Sequence, residues 1–207
     1  MQAVQLHAIK QSVYCQIVTL VLRLKNVDFQ LIETNVFACE EIKASHAVLH
    51  PFKKIPVLTH GDFTLYETVA ITRYIDESFA GRVLQPTTAA QRAKMTQIIS
   101  LMDSYAYQPM VWGIYVECSV RPARGEQPTP EVVTAAIEAA SVCLNVLAEL
   151  LAEQSYFCSE QLTLADCHVQ PMLECLGKCL QGKALLRNHP NLQQWLLRMQ
   201  QQVALAR

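Results

Sequence analysis

Runs of like charge, long uninterrupted apolar segments and paired CxxC cysteines are all missing from this sequence, and each absence removes a class of function. Lys and Arg number 17 against 18 Asp and Glu, a formal net charge of -1 with no basic block. That balance argues against nucleic acid or an anionic membrane as the main partner. The amino terminus, MQAVQLHAIKQS, lacks a charged segment followed by a long apolar run. No later stretch reaches the roughly 18 uninterrupted apolar residues of a membrane span, so a soluble, cytoplasmic protein is expected. Internal repeats and low-complexity tracts are absent as well.

The eight cysteines, at positions 15, 39, 118, 143, 158, 167, 175 and 179, form no compact secreted framework and read as thiols. Cys175 and Cys179 lie four apart on an expected helix, with Cys167 and His168 just upstream, which raises a metal site. Without a CxxC pair, and with cysteine a common small core residue, the reading is that no metal is bound.

What is present is apolar material for a real core: 207 residues, 51% hydrophobic and 17% charged, enough for one large domain or two small ones. The stretch Lys53 to Ile75 organises the first half. Ile55-Pro56-Val57-Leu58 is an apolar run beginning at a proline, Gly61-Asp62 offers a hairpin turn and Phe63-Thr64-Leu65 alternates. Glu67-Thr68 then opens a helix with apolar positions Ile71, Tyr74, Ile75 and Phe79. A proline at the mouth of a strand donates no hydrogen bond and belongs at an edge or in a cis turn, leaving neighbouring backbone for a ligand. The helix start favours a carboxylate, and the Glu67 side chain can accept from an ammonium, so an amino-acid-like head group fits both. An edge-strand proline and an ordinary N-cap account for the same residues without a ligand.

In chain order, Val4, Leu6 and Ala8 alternate as a strand, and Ile17, Leu20, Val21 and Leu24 recur at helical spacing to about Lys25. Residues 28–34 form a second strand, and strand, helix, strand of this size implies a parallel crossover. A weaker helix is expected over 38–49. The order βαβ, α, ββα makes a small mixed sheet over residues 1–80, and 81–88 reads as a linker. Beyond it strand alternation disappears. Residues 89–207 read as an all-α domain with helices over 89–120, kinked or broken at Pro109, then 130–151, 164–180 and 191–203. Thr163-Leu164-Ala165-Asp166 fits an extended capping box, with Leu162 and Cys167 in staple positions.

These residues carry a resemblance that covers nearly the whole chain. His50-Pro51-Phe52-Lys53-Lys54-Ile55-Pro56-Val57-Leu58 resembles the NPFG-(Q/K)-VPVL run of the soluble glutathione transferase family. Leu65 to Ile75 resembles its LFES-x-AITRYI run, closest to the phi and related bacterial serine-type classes, and Thr163 to Asp166 matches its helical-domain capping box. The resemblance implies a thioredoxin-like domain (βαβαββα) followed by a helical domain, and a homodimer. It further implies glutathione as co-substrate, Ile55 offering its backbone beside a cis Pro56, Lys54 near the peptide's carboxylate end, and Glu67 with Thr68 holding the γ-glutamyl group. Ser12 falls at the catalytic hydroxyl, with Cys15 at the second position of an older redox CxxC. The electrophile is expected between the halves, against Val13, Tyr14, Tyr105, Met110 and Trp112, an aromatic stripe that also reads as core. His50, Lys53, Thr68 and Val13 depart from the family's asparagine, glycine, serine and proline. Lys43 and His46 lie on the segment that often supplies glycyl-end contacts, without matching its motif.

The activity implied is thiolate activation for conjugation or reduction of small hydrophobic electrophiles. A glutathione-dependent isomerase, and a non-catalytic binding module that kept the fold, are the alternatives. Ser12 is read as donor to the thiolate or as a plain N-cap of the first helix, with Tyr14 and Cys15 as other groups near the thiol.

Overall fold

The computed structural model describes residues 2–38 and 40–206, so Cys39, inside the helix expected over 38–49, lies outside the described residues. The chain divides into two compact units between Val83 and Leu84.

The first unit contains β1 (Val4–Ala8), α1 (Val13–Leu24), β2 (Gln30–Glu33), α2 (Glu40–His46), β3 (Val57–His60), β4 (Phe63–Tyr66) and α3 (Thr68–Ser78). Its sheet has the order β2-β1-β3-β4, with β1 parallel to β2 and antiparallel to β3, and β3 antiparallel to β4. Alternation in β1 buries Val4, Leu6 and Ala8, and Leu6 pairs with Leu31 on one side and Leu58 on the other. The hairpin turns at Gly61, whose φ of 59° is the left-handed conformation that glycine adopts at little cost. α1 packs against α3. Their C-terminal ends are tied by the buried Lys25, whose Nζ donates to the Asp76 carbonyl at 3.0 Å and lies 3.2 Å from Asp76 Oδ1. α2 is shorter than expected. After His46 the chain turns through Leu49 N–H to His46 O and His50 N–H to His46 O, and Pro51 ends helical continuation.

In the second unit α4 (Ala89–Leu101) does not break at Pro109. It runs on through two π-wound stretches, Met102–Ala106 and Gln108–Val120, into the single turn α5 (Arg121–Ala123). Proline supplies no N–H and crowds the carbonyl one α-turn back. The wider winding, seen in Tyr107 N–H to Met102 O and Arg121 N–H to Val116 O, accommodates it without a break. α6 (Pro130–Leu151) crosses this helix closely: a Cβ added at Gly113 would collide with the Ala136 side chain. By length and mean hydropathy, 22 residues and 1.6, α6 could cross a membrane, yet it packs on the π-wound stretch with Ala136, Ala140, Cys143, Leu144, Leu147 and Leu151 buried.

α7 (Leu164–Leu176) stops at Gly177, short of the expected Leu180, and an unanticipated helix α8 (Leu180–Arg187) follows before α9 (Pro190–Leu205). A side chain at Gly182 would fall on the Leu176 carbonyl, so the tight passage from α7 into α8 requires glycine there. Periodicity across 164–180 is continuous through this corner, which is why it reads as one helix.

The capping box at the start of α7 is larger than its motif. Asp166, fully buried, accepts the Thr163 N–H at 2.8 Å, the Thr163 hydroxyl at 2.9 Å, the Phe157 N–H at 3.1 Å and Trp195 Nε1–H at 2.9 Å. Burial pushes its carboxyl pKa up while these donors pull it down. Thr163→Ala removes one of the four and should lower stability by about 1 kcal/mol, read as a small shift in denaturation midpoint with turnover intact.

His168, one turn into α7 and buried, has its pKa lowered by burial from 6.5 to about 3. The unfolded chain therefore takes up a proton below pH 6.5 that the folded chain refuses. Its contribution to stability is complete above that pH and is lost at about 1.4 kcal/mol per pH unit below it. Denaturant titrations at pH 7 and pH 5 should differ by roughly 2 kcal/mol from this group, a difference that His168→Met should remove.

Candidate functional site

Three segments of the first unit leave the sheet at one end. β1 runs antiparallel to β3 with His7 opposite Val57, so the residues after Ala8 emerge beside the start of β3. Val57 also pairs with Tyr66, so the end of β4 and the opening of α3 emerge there too. Ser12, Ile55-Pro56 and Glu67-Thr68, widely separated in sequence, are brought to this end by register alone.

Ser12 is the N-cap of α1, with φ -74° and ψ 125°. Its Oγ accepts the Cys15 N–H at 3.5 Å and its carbonyl accepts the Gln16 N–H at 2.9 Å. Capping uses a lone pair of the hydroxyl, which keeps its proton for donation, so the capping and donor readings are compatible. Val13 and Cys15 face the core and Tyr14 is half-buried. Burial pushes the Cys15 thiol up, outweighing its hydrogen bond with Ser12, which makes it a packed side chain and not a reactive thiol.

The loop from His50 to Pro56 is held from within. The Lys53 N–H donates to the His50 carbonyl at 2.9 Å and the Phe52 N–H to His50 Nδ1 at 3.2 Å. Lys53 has φ 55°, the left-handed conformation that the glycine of the family motif adopts freely and a lysine adopts at some cost. Ile55-Pro56 is cis. The proline does not mark an edge strand, since β3 lies between β1 and β4; both ladders of β3 begin at Val57, and Ile55 stands outside them. His46 is buried with Nε2 2.7 Å from the Lys54 carbonyl. That places it beneath the loop as a strut, not on the surface as a ligand to a glycyl carboxylate. Lys54 itself is exposed.

Glu67 is the N-cap of α3 at φ 71° and ψ 117°, an uncommon conformation for a non-glycine residue, and its side chain makes no capping bond. Its carboxylate is exposed while Thr68 is buried at the first helical position. This end of the sheet therefore carries two helix N-termini, which favour anions, and the exposed residues Lys53, Lys54 and Glu67 lie on the segments that emerge there. That pattern suits a zwitterionic head joined to further carboxylates. In the second unit, Tyr105 and Trp112 are exposed and Met110 is fully buried. Among the described residues no group of three His, Cys, Asp or Glu side chains is arranged to hold a metal, and the seven described cysteines are thiols.

Residues 6–83 match the family model described as glutathione S-transferase, N-terminal domain, and residues 104–202 the one described as glutathione S-transferase, C-terminal domain. Glutathione S-transferase F13 of Arabidopsis thaliana is 30% identical over 195 residues, covering 93% of this chain and 89% of that one. Glutathione S-transferase F14 of the same plant is 30% identical over 185 residues, covering 87% and 72%. The solved structure of glutathione S-transferase III in apo form superposes with a TM-score of 0.84 at 27% identity, over 98% of this chain and 96% of that chain. The end-of-sheet cluster, the helical unit and these matches converge, and the chain belongs to the glutathione S-transferase family.

Proposed function

We propose that the protein binds glutathione along the end of its β3 strand and keeps the sulfur as a thiolate for attack on, or reduction of, small hydrophobic electrophiles. In this reading Ile55 offers its backbone to the cysteinyl part, Lys54 lies near a carboxylate of the peptide, and Glu67 and Thr68 receive the γ-glutamyl head. The observation that carries it is the pairing register, which gathers Ser12, Ile55 and Glu67 at one end of the sheet. A free thiol near pKa 8.5 is only a few per cent ionised at neutral pH, and lowering it by two units requires roughly 2.7 kcal/mol. The Ser12 hydroxyl, as a charge-assisted donor worth about 1.5 to 3 kcal/mol, and the α1 dipole, at about 0.3 to 1, supply that together. Ser12 acts as a donor and never needs to lose its own proton.

Tyr105 and Trp112, exposed on the helical unit, are proposed to face the electrophile, whereas the burial of Val13 and Met110 in their own units makes them core. The exposed apolar side chains Phe37, Val48 and Phe52 on the first unit support assembly as a homodimer, and the protein is proposed to work in the cytoplasm. Retention on immobilised glutathione, followed by turnover of an activated aromatic halide, tests the reading. Binding with turnover supports it, binding without turnover favours a non-catalytic module, and failure to bind ends it.

A further inference from the structure

The loop that carries Lys54 and Ile55 is fastened by two buried histidines. His46, the last residue of α2, directs Nε2 to the Lys54 carbonyl at 2.7 Å. His50, four residues on, takes the Phe52 N–H on Nδ1 at 3.2 Å, accepts the Lys53 N–H on its carbonyl, and packs its ring on Tyr66 with centroids 4.6 Å apart. The two rings lie 6.3 Å apart, and His7 of β1 approaches His46 at 6.2 Å. One histidine thus donates to the end of the loop and the other accepts from its middle. We propose that His46 and His50 form a brace that sets the Lys54-Ile55 backbone for glutathione, making them positioning residues for the transferase reaction.

This rests on the proposed course of glutathione past Ile55. The bond at His50 requires an unprotonated Nδ1, because the Phe52 N–H has only a lone pair to meet. Burial keeps the His50 pKa below its ordinary value, His46 and Lys54 add to that, and Glu67 opposes it. These three groups, together with the Tyr66 ring, face His50 from α2, the loop, the start of α3 and β4. Lys53, at the neighbouring left-handed position, gains most from being held, since lysine adopts that backbone conformation less readily than glycine.

Four variants of the full chain test the brace by steady-state kinetics against glutathione. His46→Phe and His50→Leu, which lose the donor and the acceptor, should raise the KM for glutathione about tenfold while kcat at saturation stays within about twofold. His46→Gln and His50→Asn, which keep them, should stay within about threefold of the parent. The parent KM should climb only at pH values below the ordinary imidazole range, where the depressed His50 takes up its proton, and His50→Asn should flatten that climb. Amide exchange at Phe52 should quicken in His50→Leu and not in His50→Asn, a readout independent of any ligand. Equal KM in all four variants, or a loss confined to kcat, overturns the brace. Glu67→Gln separates this from the parent reading: an unchanged KM there would move glutathione elsewhere, while the Phe52 exchange rates still decide whether the loop is braced.

Discussion

Ser12→Ala should lower kcat for conjugation at pH 7 by roughly ten- to a hundredfold, the equivalent of losing about 1.5 to 3 kcal/mol of thiolate stabilisation. Glutathione affinity should change little, because the peptide's contacts along Ile55, Lys54 and Glu67 do not involve the hydroxyl. The pH-rate profile should move upward by one to two units toward the ordinary thiol value of about 8.5. Ser12→Thr should recover most of the rate. The stability cost is that of an N-cap, about 0.5 to 1 kcal/mol, so denaturation separates lost capping from lost chemistry. Equal turnover of parent and variant across pH 6 to 8 would remove Ser12 from the reaction, and Tyr14→Phe would then be the variant to measure. Cys15→Ala should leave turnover near the parent's, since that thiol is buried and held in its neutral form.

Asp166→Ala should be the most damaging single change to the helical unit, costing about 3 to 5 kcal/mol. Its carboxylate satisfies four donors: two from Thr163, one from Phe157 and one from Trp195, so its removal strands buried N–H groups on three segments at once. Against a total stability of about 5 to 15 kcal/mol, that loss approaches unfolding. Asp166→Asn, which keeps an acceptor oxygen but brings two N–H donors of its own, should fall between alanine and the parent. Urea denaturation followed by Trp195 fluorescence measures the effect, as the indole lies in the network. A loss under 1.5 kcal/mol in Asp166→Ala would mean that the network is a consequence of the fold and not one of its supports.

Local patterns carried far in this chain. Alternation in Val4 to Ala8, helical spacing from Val13 to Leu24 and the turn at Gly61 survive in the structure because each reflects a period or a conformational demand of the backbone itself. The corner at Gly177 and the helix after it leave no mark in the sequence because the apolar pattern runs through them, and only the carbonyl of Leu176 shows why Gly182 must lack a side chain. Pro109 illustrates the converse. Its chemistry forbids an ordinary α-turn, but the choice between a break and a wider winding belongs to the packed helix.

From the amino acids alone follow the two-part architecture, the cis-compatible proline before a strand, the capping box and the head-group reading of Glu67 and Thr68, because each is written in neighbouring residues; the roles of Ser12, Lys54 and Ile55 enter through the family resemblance. The tertiary structure decided what those residues do for one another. It made His46, named from sequence only as lying on the segment that often supplies glycyl-end contacts, a strut under Lys54, forced Glu67 and Lys53 into left-handed backbone, and joined Asp166 to Trp195 across 29 positions. Such relations depend on strand register and helix packing, which set distances between residues remote in sequence and which no local pattern encodes.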